Sequence, residues 1–184
     1  MPKKMLFDLS EFTFGDEGFE VTTFADIVDE NQIAVPGQEV QFYVDGVPYP
    51  HGADPEQTQI DGRARRKLSR LSIGNHIFEA VGRAGLHQRK EKAIKPSLSL
   101  ERTEPVVADG SAETKVTAYA SMQNLPVANL PIQLFFQGDP LGSPKPTAED
   151  GRSTWMFSRQ LSRGNYEFVA RIEGTTIRAR VLAL

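Results

Sequence analysis

Two tandem antiparallel β-sandwiches are what the sequence predicts, and three observations carry that expectation. Apolar residues recur with a period of two, no run of ten or more residues keeps a period of 3.6, and the second half of the chain repeats the first at a spacing near 90 residues. Val40, Phe42 and Val44, then His76, Phe78 and Ala80, carry the alternation in the first half. Ile132, Leu134 and Phe136, then Tyr166, Phe168 and Ala170, carry it in the second. Side chains leave a strand on alternate faces, so this pattern buries one face and wets the other.

Taken in order, the alternation predicts strands over about 4–10, 19–26, 39–44, 63–71, 75–83 and 86–94 in the first copy. The second copy repeats them at about 97–101, 113–120, 131–136, 152–160, 165–172 and 175–182. Pro36-Gly37, Asp45-Gly46, Asp61-Gly62, Asp150-Gly151 and Gly174 supply turns, because these residues fix φ or tolerate positive values of it. Short strands with turns every 8 to 12 residues form sandwiches. The repeat is explicit. Asp61-Gly62-Arg63-Ala64 returns as Asp150-Gly151-Arg152-Ser153 at an offset of 89, and the stretch from Leu71 to Ala80 returns as Leu161 to Ala170 at 90. Val21 to Ala25 answers Val116 to Ala120 at 95, and Val40, Phe42, Val44 and Gly46 answer Ile132, Leu134, Phe136 and Gly138 at 92. A period of this length is that of one small domain, not of a solenoid unit. The expected domains are 1–95 and 96–184, joined near Ile94 to Ser97 by a short linker containing Pro96.

Both copies resemble bacterial immunoglobulin-like repeats of the invasin and intimin kind, and more loosely fibronectin type III domains. The resemblance rests on the Asp-Gly turn that opens a strand and on the Leu-x-x-Gly-x-Tyr-x-Phe-x-Ala pattern of Leu161 to Ala170. It spans nearly the whole chain and implies two tandem immunoglobulin-like antiparallel β-sandwich domains with adhesion, spacing or recognition roles, since such sandwiches share no site residues. Two departures stand out. His76 occupies the place of Tyr166, where sandwiches of this type use a tyrosine to hydrogen-bond back to the main chain. Arg66 aligns with Trp155, so the first copy either pairs differently there or leaves Arg66 at an open sheet edge. Trp155, the sole tryptophan, is expected in the core.

Composition bounds the chemistry. The chain has 184 residues, no cysteine, a net charge of −3 and about a quarter of its residues as Leu, Ile, Val or Phe. A packed core is therefore affordable, while disulfides, thiolate metal sites and cysteine nucleophiles are excluded. No apolar run approaches a membrane span, and Lys3-Lys4 is followed by too short an apolar stretch for a secretory signal. With Met1 as the native start, a cytoplasmic location is expected. His51, His76 and His87 lie on different predicted elements in no metal-binding spacing, and no nucleophile elbow, phosphate loop or dinucleotide fingerprint occurs. No enzyme activity, cofactor or metal is expected. Asp26, Asp29, Glu30 and Asn31 cluster in one loop, but the linker supplies no carboxylate for a calcium-rigidified joint.

Charge is sorted along the first copy. Between Met5 and Gly62 there are 13 acidic residues and no Lys or Arg, whereas Arg63 to Lys95 holds ten Lys or Arg against Glu79 and Glu91. Cross-strand pairing of the acidic second strand with the basic fourth accounts for this. The alternative is a basic sheet, with Arg63, Arg65, Lys67, Arg89, Lys90 and Lys92 docking an acidic partner. Nucleic acid is disfavoured, because the chain is acidic overall and no aromatic residues interleave with these bases. The Lys- and Arg-rich stretch His87 to Lys92 also fits an edge strand protected against edge-to-edge pairing.

The long connection from Asp45 to Glu56 is the most suggestive local feature. Pro48 and Pro50 hold it extended, Tyr49 offers a large amphipathic contact and His51 a polar one. Either its tyrosine covers its own domain, or the loop recognises a partner. The sequence thus points to a non-enzymatic structural or protein-binding module with Pro48, Tyr49, Pro50, His51, Arg65, Lys67, Arg89 and Lys90 as candidate contacts. Its partner would be another protein, and self-association through charged faces or sheet edges would also fit. A carbohydrate-binding or adhesive segment of a bacterial surface or phage particle is the alternative, as is an accessory domain of a longer enzyme.

Overall fold

The computed structural model describes residues 3–15, 17–102, 114–157, 166–172, 174–175 and 177–183. It is all-β, and the chain divides into two compact units, Met1–Ile94 and Lys95–Leu184. Each unit is an immunoglobulin-like sandwich of two antiparallel sheets.

The first unit contains β1 (Lys3–Leu9), β2 (Thr13–Gly15), β3 (Gly18–Asp29), β4 (Glu39–Val44), β5 (Val47–Pro48), β6 (Glu56–Gln57), β7 (Arg63–Leu71), β8 (Gly74–Gly82) and β9 (His87–Ile94). One sheet has β3 at its centre, with β1 and β2 on one side and β7 on the other. The other runs β5 and β6, β4, β8, β9. In the second unit β10 (Ser97–Arg102), β11 (Thr114–Met122), β12 (Leu125–Pro126) and β16 (Arg152–Phe157) form one sheet. The other is built of β13 (Pro131–Phe136), β14 (Asp139–Pro140), β15 (Lys145–Pro146), β17 (Tyr166–Ile172) and β18 (Arg178–Ala183).

Alternation in sequence becomes alternation in burial. Along β3, Phe19, Val21, Thr23, Ala25 and Ile27 turn inward, and along β11 Thr114, Val116, Ala118, Ala120 and Met122 do so. Phe42, Phe78, Val40, Leu68 and Ile94 fill the first core; Ile132, Leu134, Phe168, Leu130 and Ile172 fill the second. Burying one such side chain contributes about 1.5–3 kcal/mol. Period two misses β2 and the two-residue strands, which are too short to show any period. It also stops β3 at residue 26, although buried Ile27 continues the ladder to Asp29. The Leu161 to Asn165 part of the repeat signature, and the strand ends expected at 113, 158–160, 165 and 176, lie outside the described residues.

Pairing corrects the alignment of the two copies. Ala25 pairs with Ala64 and Ala118 with Ser153, and both Ile27 and Ala120 donate their N–H to the carbonyl of the turn glycine, Gly62 or Gly151. Ala25 is therefore equivalent to Ala118, two residues from the match that the sequence suggests. A shift of two preserves every inward and outward position, so the hydrophobic pattern cannot detect it.

Arg66 lies opposite Thr23 just as Trp155 lies opposite Val116, so the first copy pairs as the second does. The edge expectation holds, because β7 is the outer strand of its sheet. From there Arg66 reaches the second sheet, with Nε 2.7 Å from Glu56 on β6 and its terminal nitrogen donating to the Asp54 carbonyl. At the same place in the second unit Lys145 lies 5.7 Å above the buried Trp155 ring and donates to the Thr154 carbonyl. One lateral edge is thus closed by an ion pair in one copy and a cation over an indole in the other.

Candidate functional site on the first unit

The connection from Asp45 to Glu56 runs along the outer side of β7 and is fixed to it. Four residues of β7, from Leu68 to Leu71, match three of β3, from Val21 to Phe19, and Arg70 adopts a φ of +58°. This bulge turns the main chain of Ser69 toward Tyr49. The Tyr49 hydroxyl accepts from the Ser69 N–H at 2.9 Å and donates to the Ser69 carbonyl. The Tyr49 N–H bonds the Phe42 carbonyl, and Ala53 N–H bonds that of Pro50, which follows a cis Tyr49–Pro50 bond. Tyr49 itself is half-buried against its own domain, and Val47, Pro48, Pro50 and His51 remain exposed on the pinned loop. We expect Tyr49→Phe to lower the stability of the first unit by about 0.5–1.5 kcal/mol, because the two main-chain groups of Ser69 lose a shared partner. Chemical denaturation of both proteins checks this; an unchanged midpoint would mean water replaces the hydroxyl without loss.

The basic candidates are engaged within the fold. Lys67 meets Glu20 at 2.7 Å, Arg65 meets Asp61 at 2.6 Å, Arg89 meets Glu91 at 2.8 Å and Lys90 meets Asp8 at 2.7 Å. Arg63 holds both carboxylate oxygens of Asp26 across the β3–β7 ladder. Each exposed pair contributes at most about 1 kcal/mol. Together they turn the sorted sequence charge into local neutrality. Asp26 is thereby occupied, and Asp29 Oδ1 accepts from the N–H groups of Asn31 and Ile33, so this oxygen closes the loop's own turn.

Ser72, His76 and Asp45 form the only serine, histidine and aspartate grouping among the described hydrogen bonds. His76 is 8% exposed, and its Nδ1 lies 2.7 Å from Asp45 Oδ2. Its Nε2, however, lies 2.8 Å from the Ser72 main-chain carbonyl and 3.5 Å from the hydroxyl. A nitrogen that donates to a carbonyl cannot accept the hydroxyl proton, so the group is a brace between two turns and not a nucleophile with its base. A shallow depression of about 420 Å³ adjoins it, lined by Asp45, Asn75, His76, Ile77, Glu91, Lys92 and Ala93. His76 therefore does reach the main chain, at the Ser72 carbonyl.

Burial alone would raise the Asp45 carboxyl, but the Ile77 N–H and the His76 ring outweigh it and hold it below its ordinary 3.8. A lowered folded-state value means stability that is present above pH 3.8 and is lost as pH falls through the folded value. The melting temperature of the wild type should therefore fall toward that of Asp45→Asn between pH 6 and pH 3, in thermal melts read at matched ionic strength. A constant gap would assign the contact no ionic component.

Among the described residues no helix is long and apolar enough to cross a membrane. No family model and no curated protein matches the chain. Solved structures do. The D0–D1 domains of intimin are 19% identical, with 97% of this chain and 100% of that one covered at a TM-score of 0.39. Adhesin InvE of Yersinia pseudotuberculosis is 13% identical over 97% of this chain and 58% of its own, at 0.39. Invasin, a bacterial integrin-binding protein, is 16% identical over 98% of this chain at 0.43, and the chain spans 38% of its length. The chain is similar to immunoglobulin-like domains of the invasin and intimin kind.

Proposed function

We propose that the chain is a non-enzymatic structural or protein-binding module, with the Val47–Pro55 loop as a contact surface of its first unit. One observation carries the reading: Tyr49 and Arg66 fasten this loop to β7, while Val47, Pro48, Pro50 and His51 stay exposed. A surface ordered before binding loses little conformational entropy when a partner docks. The brace geometry of His76 supports a role without catalysis. The paired lysines and arginines support contact through shape more than through a charged face. A sugar platform would need exposed aromatic rings, whereas the loop's one ring is half-buried with its hydroxyl engaged.

The test is capture from an extract of the source cells, comparing the wild type with a variant whose loop 47–55 is a Gly/Ser linker. A stoichiometric protein held by the wild type and lost by the variant is the expected result. Capture by both would remove the loop from the reading. Capture by neither, together with retention of the chain on immobilised glycans, would replace it with the carbohydrate alternative.

A further inference from the structure

The first unit has a second surface that its fold does not account for. The registers Lys3 with Asp29, Asp26 with Arg63, Val40 with Gly82 and Val81 with His87 bring the turns 30–38, 58–62 and 83–86 to one pole. Two large apolar side chains stand out from it: Ile60 is 92% exposed and Ile33 is 61% exposed. We propose that this pole is a second protein-docking surface, in which Ile33 and Ile60, bordered by the carboxylates of Asp29 and Glu30, enter an apolar pocket rimmed by Lys or Arg on a partner protein. The inference rests on the reading of the chain as a protein-binding module but not on its Val47–Pro55 loop.

Neither isoleucine is exposed because its loop is loose. Ile33 sits in a turn closed by the Asp29 N–H to the Ile33 carbonyl and by Asp29 Oδ1 on two N–H groups. Ile60 sits in a turn closed by the Gly62 N–H on Gln59 and the Gln59 N–H on Arg63. The buried Thr58 hydroxyl joins the two turns, donating to Val35 and accepting from Gln38, and a Cβ on Gly62 would stand 2.9 Å from that of Ala34. The isoleucines thus project from two adjoining, fixed turns.

The turn does not need Ile60. In the second unit Thr147 makes the same pair of bonds, to Val127 and from Leu130, and Gly151 packs on Pro126 as Gly62 packs on Ala34. Ile60 then corresponds to Glu149, so a charged residue satisfies the same turn. A β-branched apolar side chain held almost wholly in water stabilises nothing in the monomer.

Charge indicates the occupant. Arg63, Arg65 and Arg83 near this pole are each paired, with Asp26, Asp61 and Glu39. Lys3, opposite Asp29 in the ladder, directs its ammonium to Gln38 at 2.6 Å. Asp29 and Glu30 have no cation among the described ion pairs, and their two carboxylates outnumber the one ammonium of Lys3 beside them, so the border of the apolar pair keeps a net negative charge that fits a basic rim. No aromatic residue occurs in 30–38, 58–62 or 83–86, which leaves no stacking platform for a sugar.

A random peptide library displayed on phage, selected on the full chain with the enriched peptides then measured on Ile33→Glu, Ile60→Glu and the 47–55 linker variant, tests this. The enriched peptides should carry an aliphatic or aromatic anchor flanked by Lys or Arg and weaken with added salt. They should lose about tenfold or more in affinity on Ile33→Glu or Ile60→Glu, and bind the 47–55 linker variant unchanged. Ile60→Glu copies the second unit, and circular dichroism verifies its fold. Peptides that bind Ile60→Glu equally but fail on the linker variant would overturn this inference and leave the module reading standing. Acidic or salt-insensitive peptides would also overturn it, as would dimerisation of the wild type abolished by Ile60→Glu, which would make a second copy the occupant. No enrichment on any form would overturn both readings.

Discussion

Phe168→Ala is expected to lower the stability of the second unit by about 3–5 kcal/mol, the range for an aromatic ring deleted from a packed core. Phe168 is fully buried and lies opposite Phe136 in the β13–β17 ladder. Its ring centroid is 5.1 Å from that of Phe136 and 5.2 Å from that of Phe157, which are 4.6 Å from each other. Three rings drawn from both sheets cannot collapse together when one is removed, because the ladders hold their backbones apart. For a unit of this size the loss corresponds to a fall in Tm of roughly 15 °C or more. Trp155 is the only tryptophan and belongs to the second unit, so its fluorescence reads this transition alone. The far-ultraviolet signal of the first unit should keep its midpoint. A common shift of both signals would show that the units unfold as one.

Gly151→Ala should destabilise the second unit by about 2–4 kcal/mol, combining a non-glycine residue in the left-handed region with overpacking. Gly151 has a φ of +74°, and a Cβ there would stand 2.5 Å from the Ala120 carbonyl oxygen, itself the acceptor for Val127. A backbone atom that is already bonded cannot step aside. Gly62→Ala meets the same conflict in the first unit, with φ +71° and 2.8 Å to the Ile27 carbonyl. Gly46→Ala is the control, since it shares a positive φ but has no atom within 4 Å, and it should lose less. Equal losses at the three sites would assign the whole effect to φ and none to contact.

These expectations also show how unevenly the molecule could be read. The positions of the long strands, most inward residues of both cores and the Asp-Gly turns follow from local rules, because burial period and positive φ are written residue by residue. The equivalence of Ala25 with Ala118 does not, since a slip of two leaves the pattern intact and only the partner strand fixes it. Tyr49 was visible as a large residue between prolines, but the Ser69 main chain that holds it is presented by a bulge without a sequence signature. Arg66 looked like a misfit beside Trp155 until Glu56 and Lys145 appeared at matching positions across the edge. Asp45 is 31 residues from His76, so their contact had no local signal even though Ser72 is only four residues away. Ile60 was equally silent, because an apolar residue in a turn reads as noise until its exposure is known.

By itself, then, the sequence determined two β-sandwiches with their cores and turns, because hydrophobic alternation and glycine conformation act over neighbouring residues. Only the tertiary structure decided register, the partners of the sorted charges and which apolar side chains are left in water. Those depend on which distant strands and loops meet.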